Sequence, residues 1–366
     1  MNLIAGFSPV ARALIVTAAV AIVVVFMQAA APIIAPTLLA AFIAVVATPP
    51  LRWMQEKGVP KWVALAVIVF VLLDAGSIVA LVTTGALEGL SDSLPSYQER
   101  LILLRDQLGG WLEGIGMEHA REAVPDIFDP AAATGLVRLA LTNVSGTFTT
   151  GLLVLLAVIF MLLEAPSLQA KLRTAFHLTE ESKARLRHVV SASNRYMVIK
   201  ILTSLATALC IWVWLKALGI DFAVLWAVLA FLLNFIPFVG AILMAIPAVL
   251  LALVQTDLQT TLMVALGYLV VNTVIGSVLE PRIMGRGLGI STLAVFLSLL
   301  FWSWVLGTVG AFLAVPLTIA LVIALESSPQ TRPIAILLGP GVAPKAGLDA
   351  GADSSGGAPD QGPRSP

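Results

Sequence analysis

Three long stretches of this 366-residue chain contain no Asp, Glu, Lys or Arg, and they constrain the fold more than any other feature. They lie between Asp221 and Asp257, between Asp257 and Glu280, and between Arg286 and Glu326. A membrane-spanning helix needs about 20 apolar residues, and each stretch supplies at least that number. Only 11% of the residues are charged, against about 25% in soluble proteins. The sequence therefore predicts an all-α, polytopic transmembrane protein.

The hydropathy pattern predicts about eight membrane segments. Plain spans are expected near 10–31, 33–49, 62–87, 143–164, 197–217 and 258–280, and interrupted segments at 222–255 and 288–325. The predicted organisation is N-terminal transmembrane helices (1–87), an extracytoplasmic amphipathic helical segment (88–142), a transmembrane helix with a cytoplasmic connector (143–196), a core with two broken segments (197–326) and a disordered tail (327–366).

Lysine and arginine in short loops predict the orientation, because these residues concentrate on the cytoplasmic side of a membrane. The first two spans form a hairpin, so Arg12 shares a side with Arg52. The loop at 88–130 holds nine acidic residues and three arginines, whereas the loop at 165–200 holds seven lysines and arginines. We therefore predict a multi-pass protein whose N- and C-termini both lie in the cytoplasm.

A heptad seam occurs in the extracytoplasmic segment at 90–115. Its apolar residues are spaced alternately by four and three: Leu90, Leu94, Tyr97, Leu101, Leu104, Leu108, Trp111 and Ile115. Such a stripe must be covered. One alternative is packing on the rest of the chain or on membrane lipid at the interface. The other is self-association of this helix in a homo-oligomer.

The segment 222–255 is too long for a single crossing and is broken near its middle. As one helix its 34 residues would extend about 50 Å, whereas the hydrocarbon core is about 30 Å thick. Pro237 and Gly240 mark the break, which favours a re-entrant hairpin. The segment 288–325 has a similar break near Gly307. In the alternative, each segment is one kinked crossing, and Arg282 then lies outside.

The two broken segments share a sequence pattern that predicts a binding site between them. "VGAILMAIP" at 239–247 matches "VGAFLAVP" at 309–316 with one residue inserted. Inverted repeats with Gly/Pro-interrupted segments in matching positions indicate the binding site of a secondary transporter. The candidate residues for binding a small polar substrate or for gating are Asn234, Pro237, Gly240, Pro247, Gly307, Gly310 and Pro316.

Two carboxylates in the predicted spans are candidates for coupling to a proton or to sodium. Glu280 ends the span 258–280, and Asp74 lies in the middle of the span 62–87. Ionisable groups within a membrane are functional candidates by default. The alternative for Glu280 is an interfacial carboxylate paired with Arg282 or Arg286, and for Asp74 a buried hydrogen bond. We expect Pro281 to end the helix and, with Arg282 and Gly285, to form a structural loop.

Several function classes are disfavoured by what the sequence lacks. The formal net charge is zero, which disfavours a nucleic-acid partner. The single cysteine, Cys210, excludes a Cys-based metal site, and no histidine lies in a predicted span. No P-loop, HExxH or nucleophile-elbow motif occurs. We therefore predict no cofactor, no metal and no enzymatic activity.

Three motifs in a fixed order, "NFIPFVGAILMAIP", "EPRIMGRGLGIS" and "GTVGAFLAVPL", resemble the autoinducer-2 exporter family of bacterial membrane proteins. The resemblance covers roughly 10–326 and implies about eight spans in a bacterial inner membrane. It implies export of the quorum-sensing signal autoinducer-2, as in some members, or sodium or lithium/proton antiport, as in others. The family pattern falls on Asn234, Pro237, Gly240, Pro247, Pro281, Gly285, Gly310 and Pro316.

This chain departs from many members at Thr292, where they carry a proline shortly after the turn. That departure, together with "FLSLLFWSWVLG", resembles the signal-exporter branch. The leading hypothesis is a secondary transporter that exports a small polar molecule such as autoinducer-2. The alternatives are a monovalent cation/proton antiporter that uses Glu280 or Asp74, and a membrane scaffold that binds partners through the seam at 90–115.

Overall fold

The computed structural model describes residues 8–114, 150–164, 180–284, 290–326 and 330–339. Throughout these ranges the chain forms helices joined by turns, and no strand occurs in them. Within the same ranges, five helical stretches are long and apolar enough to cross a membrane, and four shorter apolar helices accompany them. The predicted all-α, polytopic transmembrane fold is confirmed.

The helices follow one another with short turns where the chain is described. In chain order they are α1 (Pro9–Ala29), α2 (Ala31–Glu56), α3 (Lys61–Gly114), α4 (Thr150–Glu164), α5 (Glu180–Ala217), α6 (Ala223–Leu233), α7 (Val239–Gln255), α8 (Leu258–Val271), a π-helix (Asn272–Leu279), α9 (Glu280–Met284), α10 (Thr292–Glu326) and α11 (Arg332–Leu338). Helices α1 and α2 correspond to the predicted spans 10–31 and 33–49.

Helix α3 is much longer than a membrane is thick. Its 54 residues extend about 80 Å, so the helix leaves the hydrocarbon core and continues through the predicted division at 87/88. Leu90 and Tyr97, from the predicted seam, pack against the core that α6 and α7 form. The packing alternative therefore holds for these two residues, and self-association of 90–115 stays a prediction. Ile115 lies outside the described residues.

Helix α5 is the central element of the fold. It contacts α2, α6, α8, α9 and α10. It runs without interruption across the predicted division at 196/197. Its apolar residues Ile211 and Leu215 are completely buried and join a core built mainly from α6, α7 and α8.

The segment 223–255 is a re-entrant hairpin, as predicted, and we call it the first hairpin. Helices α6 and α7 are joined by the turn 234–238. The side chain of Gln255, at the end of the hairpin, accepts from the amide of Asp221 at 3.0 Å and donates to the carbonyl of Gly219 at 2.9 Å. The chain therefore leaves the first hairpin where it entered.

The segment 292–326 folds back in the same way, and we call it the second hairpin. Gly307, with φ 67° and ψ −148°, interrupts the helical backbone of α10. Trp302 Nε1 donates to Thr318 Oγ1 at 3.1 Å, although 16 residues of a straight helix would span about 24 Å. This contact excludes a single kinked crossing and confirms the predicted break near Gly307.

The hairpins enter the helical body from opposite ends. The amide of Ser291, before the second hairpin, donates to the carbonyl of Leu338 at 2.9 Å. This end of the molecule, which we call the Lys/Arg-rich end, also carries Lys61 and Arg195. The base of the first hairpin lies at the opposite end. This arrangement is compatible with an inverted repeat, which stays a prediction, as does the cytoplasmic orientation of the Lys/Arg-rich end.

The prediction that Pro281 ends the helix is wrong. Helix α9 continues from Glu280 to Met284. Just before the proline the chain adopts a π-helix, and the amide of Glu280 donates to the carbonyl of Ile275, five residues back. In an α-helix a proline ring would strike the carbonyl four residues earlier, and the wider π-helical turn displaces that carbonyl.

Candidate functional site

A stripe of buried polar residues runs along α5 within Arg187–Ala217, a helical stretch that is long and apolar enough to cross a membrane. The residues recur at helical spacing on one face of the helix, and all are at most 9% exposed: Ser193, Lys200, Thr203, Ser204 and Thr207. Polar groups within a membrane are costly unless they meet partners. Two of the partners come from the end of the π-helix and from the turn of the first hairpin.

Lys200 and Glu280 form a buried ion pair. Lys200 Nζ lies 2.9 Å from Glu280 Oε1 and 3.0 Å from Oε2, and the side chains are 7% and 14% exposed. Thr203 Oγ1 donates to Glu280 Oε2 at 3.4 Å. Removing one partner of such a pair leaves an uncompensated charge, at a cost of about 3–5 kcal/mol. The ion pair therefore holds α9 against the middle of α5.

The predicted pairing of Glu280 with Arg282 is wrong, and the pairing with Arg286 stays a prediction. The sequence indicates Arg282 or Arg286 as the partner of Glu280, whereas the structure pairs Glu280 with Lys200. The Arg282 side chain is exposed, and Arg286 lies outside the described residues. Helical geometry accounts for the difference, because residues two apart on a helix do not face each other. Glu280 follows the π-helix directly, and π-helical turns occur frequently at functional sites.

The turn of the first hairpin is bonded to the same face of α5. Asn234 Nδ2 donates to Ser204 Oγ at 2.9 Å, and both residues are buried. Ser204 lies one helical turn from Lys200, so this hydrogen bond and the ion pair are neighbours along α5. The next residue, Phe235, packs in a cluster with Tyr196 and Met197 of α5.

Phenylalanines of the first hairpin's turn also contact the second hairpin. The rings of Phe235 and Phe312 stack with centroids 4.4 Å apart. Phe238 and Phe296 meet edge to face at 6.5 Å. The turn therefore lies between α5 and both arms of the second hairpin. It can move only if the bond to Ser204 and these ring contacts are broken.

In both hairpins a glycine lies where the two arms come closest. A Cβ on Gly240 would lie 1.9 Å from the carbonyl oxygen of Leu233, and one on Gly310 would lie 1.9 Å from that of Trp302. Any side chain would overlap the backbone of the facing arm. Both glycines therefore set the separation of the arms, and neither offers a functional group to a ligand.

The predicted prolines take different positions. Pro237 belongs to the turn of the first hairpin, and Pro247 and Pro316 lie within the helices of the returning arms. Val315, next to Pro316, belongs to the cluster with Tyr196 and Phe235. Pro281 follows Glu280 and is exposed.

Two other predicted residues do not join the site. The Asp74 side chain is exposed on the outer face of α3, and it makes no hydrogen bond or ion pair within the described residues. The prediction of a buried hydrogen bond for Asp74 is therefore wrong. Gly285 lies outside the described residues. In the part of the chain that the structure describes, no group of three His, Cys, Asp or Glu side chains could hold a metal ion.

Lys200, Thr203 and Ser204 were not predicted as site residues. Lys200 closes a run of basic residues, which in the sequence is typical of a cytoplasmic loop. The signal that identifies it is the seven-residue spacing from Ser193 and the three-residue spacing to Thr203, which place these polar side chains on one face of an otherwise apolar helix.

Two re-entrant hairpins that enter from opposite ends and meet beside buried polar groups are features of secondary transporters. The fold and the site thus define a polytopic membrane protein of the transporter class. A family model described as "AI-2E family transporter" matches residues 14–330, and the chain belongs to this family. Its members that match this chain are transport proteins and not enzymes, as predicted.

Relatives from several bacteria cover most of the chain. The AI-2 transport protein TqsA of Escherichia coli K12 is 40% identical over 309 residues, which are 84% of this chain and 90% of TqsA. A putative transport protein of Haemophilus influenzae is 39% identical over 335 residues, with coverage of 90% and 96%. A sodium-lithium/proton antiporter of Halobacillus andaensis is 24% identical over 315 residues, with coverage of 79% and 88%.

Proposed function

We propose that the chain is a secondary transporter of the bacterial inner membrane that exports a small polar molecule, with autoinducer-2 as the leading substrate. The observation that carries this proposal is the bond between Asn234 and Ser204, one helical turn from the pair of Lys200 and Glu280. A moving segment of the hairpin is thereby joined to a charged site inside the membrane. The similarity to TqsA supports the choice of substrate.

The geometry supports a mechanism in which the turn 234–238 is a gate. When the first hairpin withdraws from α5, the amide of Asn234 and the hydroxyl of Ser204 lose each other as partners. Both groups can then hydrogen-bond the hydroxyl groups of a small polar substrate, which replaces the lost bond. Restoring the bond between Asn234 and Ser204 expels the substrate and closes the gate.

Coupling to the proton gradient is proposed for Glu280 and not for Asp74. Glu280 is only 14% exposed and is bonded to α5, so a change in its charge alters the contact between α5 and α9. Asp74 is exposed. Neutralising Glu280 releases the Lys200 ammonium from its partner. The energy of a proton gradient can therefore reach the helix to which the gate is bonded.

The test is efflux of autoinducer-2 from proteoliposomes with and without an imposed proton gradient. We expect gradient-dependent efflux from the wild type, and at least tenfold slower efflux for Asn234→Leu and Glu280→Gln. Asp74→Asn is the matched control, because it removes a carboxylate that lies outside the site, and its efflux should equal that of the wild type. Absence of efflux from the wild type would reject autoinducer-2 as the substrate.

Monovalent cation/proton antiport is the second candidate function. It is favoured by the largely buried carboxylate of Glu280 and by the similarity to the Halobacillus andaensis antiporter. The same proteoliposomes distinguish the two functions, if a pH-sensitive dye is enclosed. Dissipation of a proton gradient on addition of sodium or lithium, without efflux of autoinducer-2, would favour antiport.

A further inference from the structure

We propose that Lys200 is a tethered cation that occupies the Glu280 carboxylate in place of a free monovalent cation, and that it thereby excludes sodium and lithium from this site. The inference rests on the proposed function, because it specifies which ion the coupling carboxylate accepts. It assigns the selectivity for a proton over sodium or lithium to one residue of α5.

The contacts of Glu280 are those of an occupied cation site. Lys200 Nζ lies within 3.0 Å of both carboxylate oxygens, so the ammonium bridges them symmetrically. The hydroxyl of Thr203 lies 3.4 Å from Oε2 and supplies a third oxygen beside the carboxylate. Carboxylate and hydroxyl oxygens are the ligands that hard cations prefer. Without the lysine, these oxygens would surround a position suited to a small cation.

No other lysine or arginine of the described ranges lies within ion-pair distance of Glu280. Arg195 of α5 instead donates to the carbonyl of Met284 at 3.3 Å. Arg282 of α9 is exposed. Among the described residues, the phenol of Tyr196 also lies near the carboxylate, and a tyrosine carries no charge at neutral pH. The charge of Glu280 is therefore balanced by Lys200.

The tether gives Lys200 an advantage over a free ion. A covalently attached group has a high effective concentration, so sodium would have to displace an ammonium that cannot diffuse away. A proton does not need to displace the lysine, because it binds the carboxylate oxygen and removes the charge that holds the ammonium. Protonation can therefore open the pair under conditions in which sodium cannot.

The experiment measures the thermal stability of the purified full-length protein in NaCl, LiCl and choline chloride at equal ionic strength. We expect the midpoint Tm of the wild type and of Lys200→Arg to be the same in all three salts. For Lys200→Met we expect a Tm that is at least about 2 °C higher in sodium or lithium than in choline, because a ligand that binds only the folded state stabilises it. The shift should disappear in Lys200→Met/Glu280→Gln.

Lys216→Met is the matched control, because Lys216 lies on the same helix and is exposed. It should behave like the wild type. An equal sodium shift in the wild type, or no shift in a folded Lys200→Met protein, would overturn the proposal. Since Tm does not depend on transport, failure of autoinducer-2 efflux leaves this result unaffected, and the two proposals fail separately.

A second variant covers the case in which Lys200→Met does not fold. Lys200→Ala leaves a space with the shape of propylammonium. Added propylammonium should therefore raise the Tm of Lys200→Ala more than tetramethylammonium does at the same concentration. Sodium and lithium should restore it in part. If neither variant folds in 0.5 M sodium, lithium or propylammonium, then a free cation cannot replace the tethered one, and the proposal is wrong.

Discussion

At the scale of single residues, Gly240 and Gly310 show how the sequence pattern and the structure correspond. Each glycine begins the returning arm of a hairpin and faces a backbone carbonyl of the entering arm, that of Leu233 or Trp302. Their resemblance in sequence therefore reflects a shared steric requirement. Because no Cβ fits at these positions, sterics alone require glycine there, and no role in ligand binding is needed to explain it.

We predict that Gly240→Ala and Gly310→Ala each lower the free energy of unfolding by about 1–3 kcal/mol, because overpacking forces the backbone of the two arms apart. Gly76→Ala is the control. No atom lies within 4 Å of a Cβ at Gly76, and alanine in an open helix should stabilise by about 0.5–1 kcal/mol. The measurement is the temperature at which half of each purified protein is lost from its size-exclusion peak. Equal midpoints for all three variants would contradict the close approach of the arms.

The partner of Glu280 shows which residue-scale information the sequence does not contain. A carboxylate at a helix end with two arginines nearby indicates a local pair, and its actual partner is 80 residues away along the chain. The choice depends on the direction in which the Glu280 side chain leaves the helix. That direction follows from the π-helix at Asn272–Leu279, and no residue propensity in "NTVIGSVL" predicts a π-helix.

At the scale of secondary-structure elements, the extension of α3 beyond the membrane is joined to the base of the first hairpin. Tyr97 donates to Asp221 Oδ2 at 2.9 Å, and Arg100 donates to the carbonyl oxygens of Val254 and Gln255. The first residues of the seam at 90–115 therefore contact the first hairpin of the same chain. A rigid connection between α3 and this base leaves the turn 234–238 as the part of the first hairpin that can move.

The contact between Tyr97 and Asp221 predicts a loss of stability at alkaline pH. Burial, followed by the hydrogen bond to Asp221 and the repulsion from its charge, raises the pKa of Tyr97 from about 10 to about 12. Below pH 10 both the folded and the unfolded state hold this proton, so the stabilisation is fully present. Between pH 10 and 12 the unfolded state releases the proton first, and the stabilisation decreases.

The variant Tyr97→Phe isolates this contribution. At neutral pH it should be less stable than the wild type by about 0.5–1.5 kcal/mol, the usual contribution of one hydrogen bond. We expect the difference in Tm between the two proteins to shrink from pH 10 to pH 12. A difference that stays constant across this range would show that the tyrosine proton does not contribute to the contact.

At the scale of the whole molecule, the sequence predicts the number and type of membrane segments, because apolar runs of about 20 residues without a charge are typical of membrane-spanning helices. The hairpins were also predictable, since Pro237 and Gly240 interrupt a segment too long for one crossing. The buried polar stripe at Lys200 was not predicted, because its burial depends on which elements of the chain pack against it. The exposure of Asp74 could not be predicted either, because its span is apolar on all sides and no face is marked as the one that packs inward.

The opposite entry of the two hairpins predicts a specific pattern of chemical labelling in intact cells. In a Cys210→Ala background, single cysteines would replace residues that flank the first hairpin, Ala217 and Gln259, and residues that flank the second, Arg282 and Arg332. All four positions are exposed. A membrane-impermeant maleimide should label Ala217→Cys and Gln259→Cys from outside, and Arg282→Cys and Arg332→Cys only after permeabilisation.

Labelling of the two flanks of one hairpin from opposite sides would contradict the re-entrant fold, because a single crossing separates its ends. Exchange of the two patterns would keep the hairpins and reverse the orientation that the lysines and arginines predict.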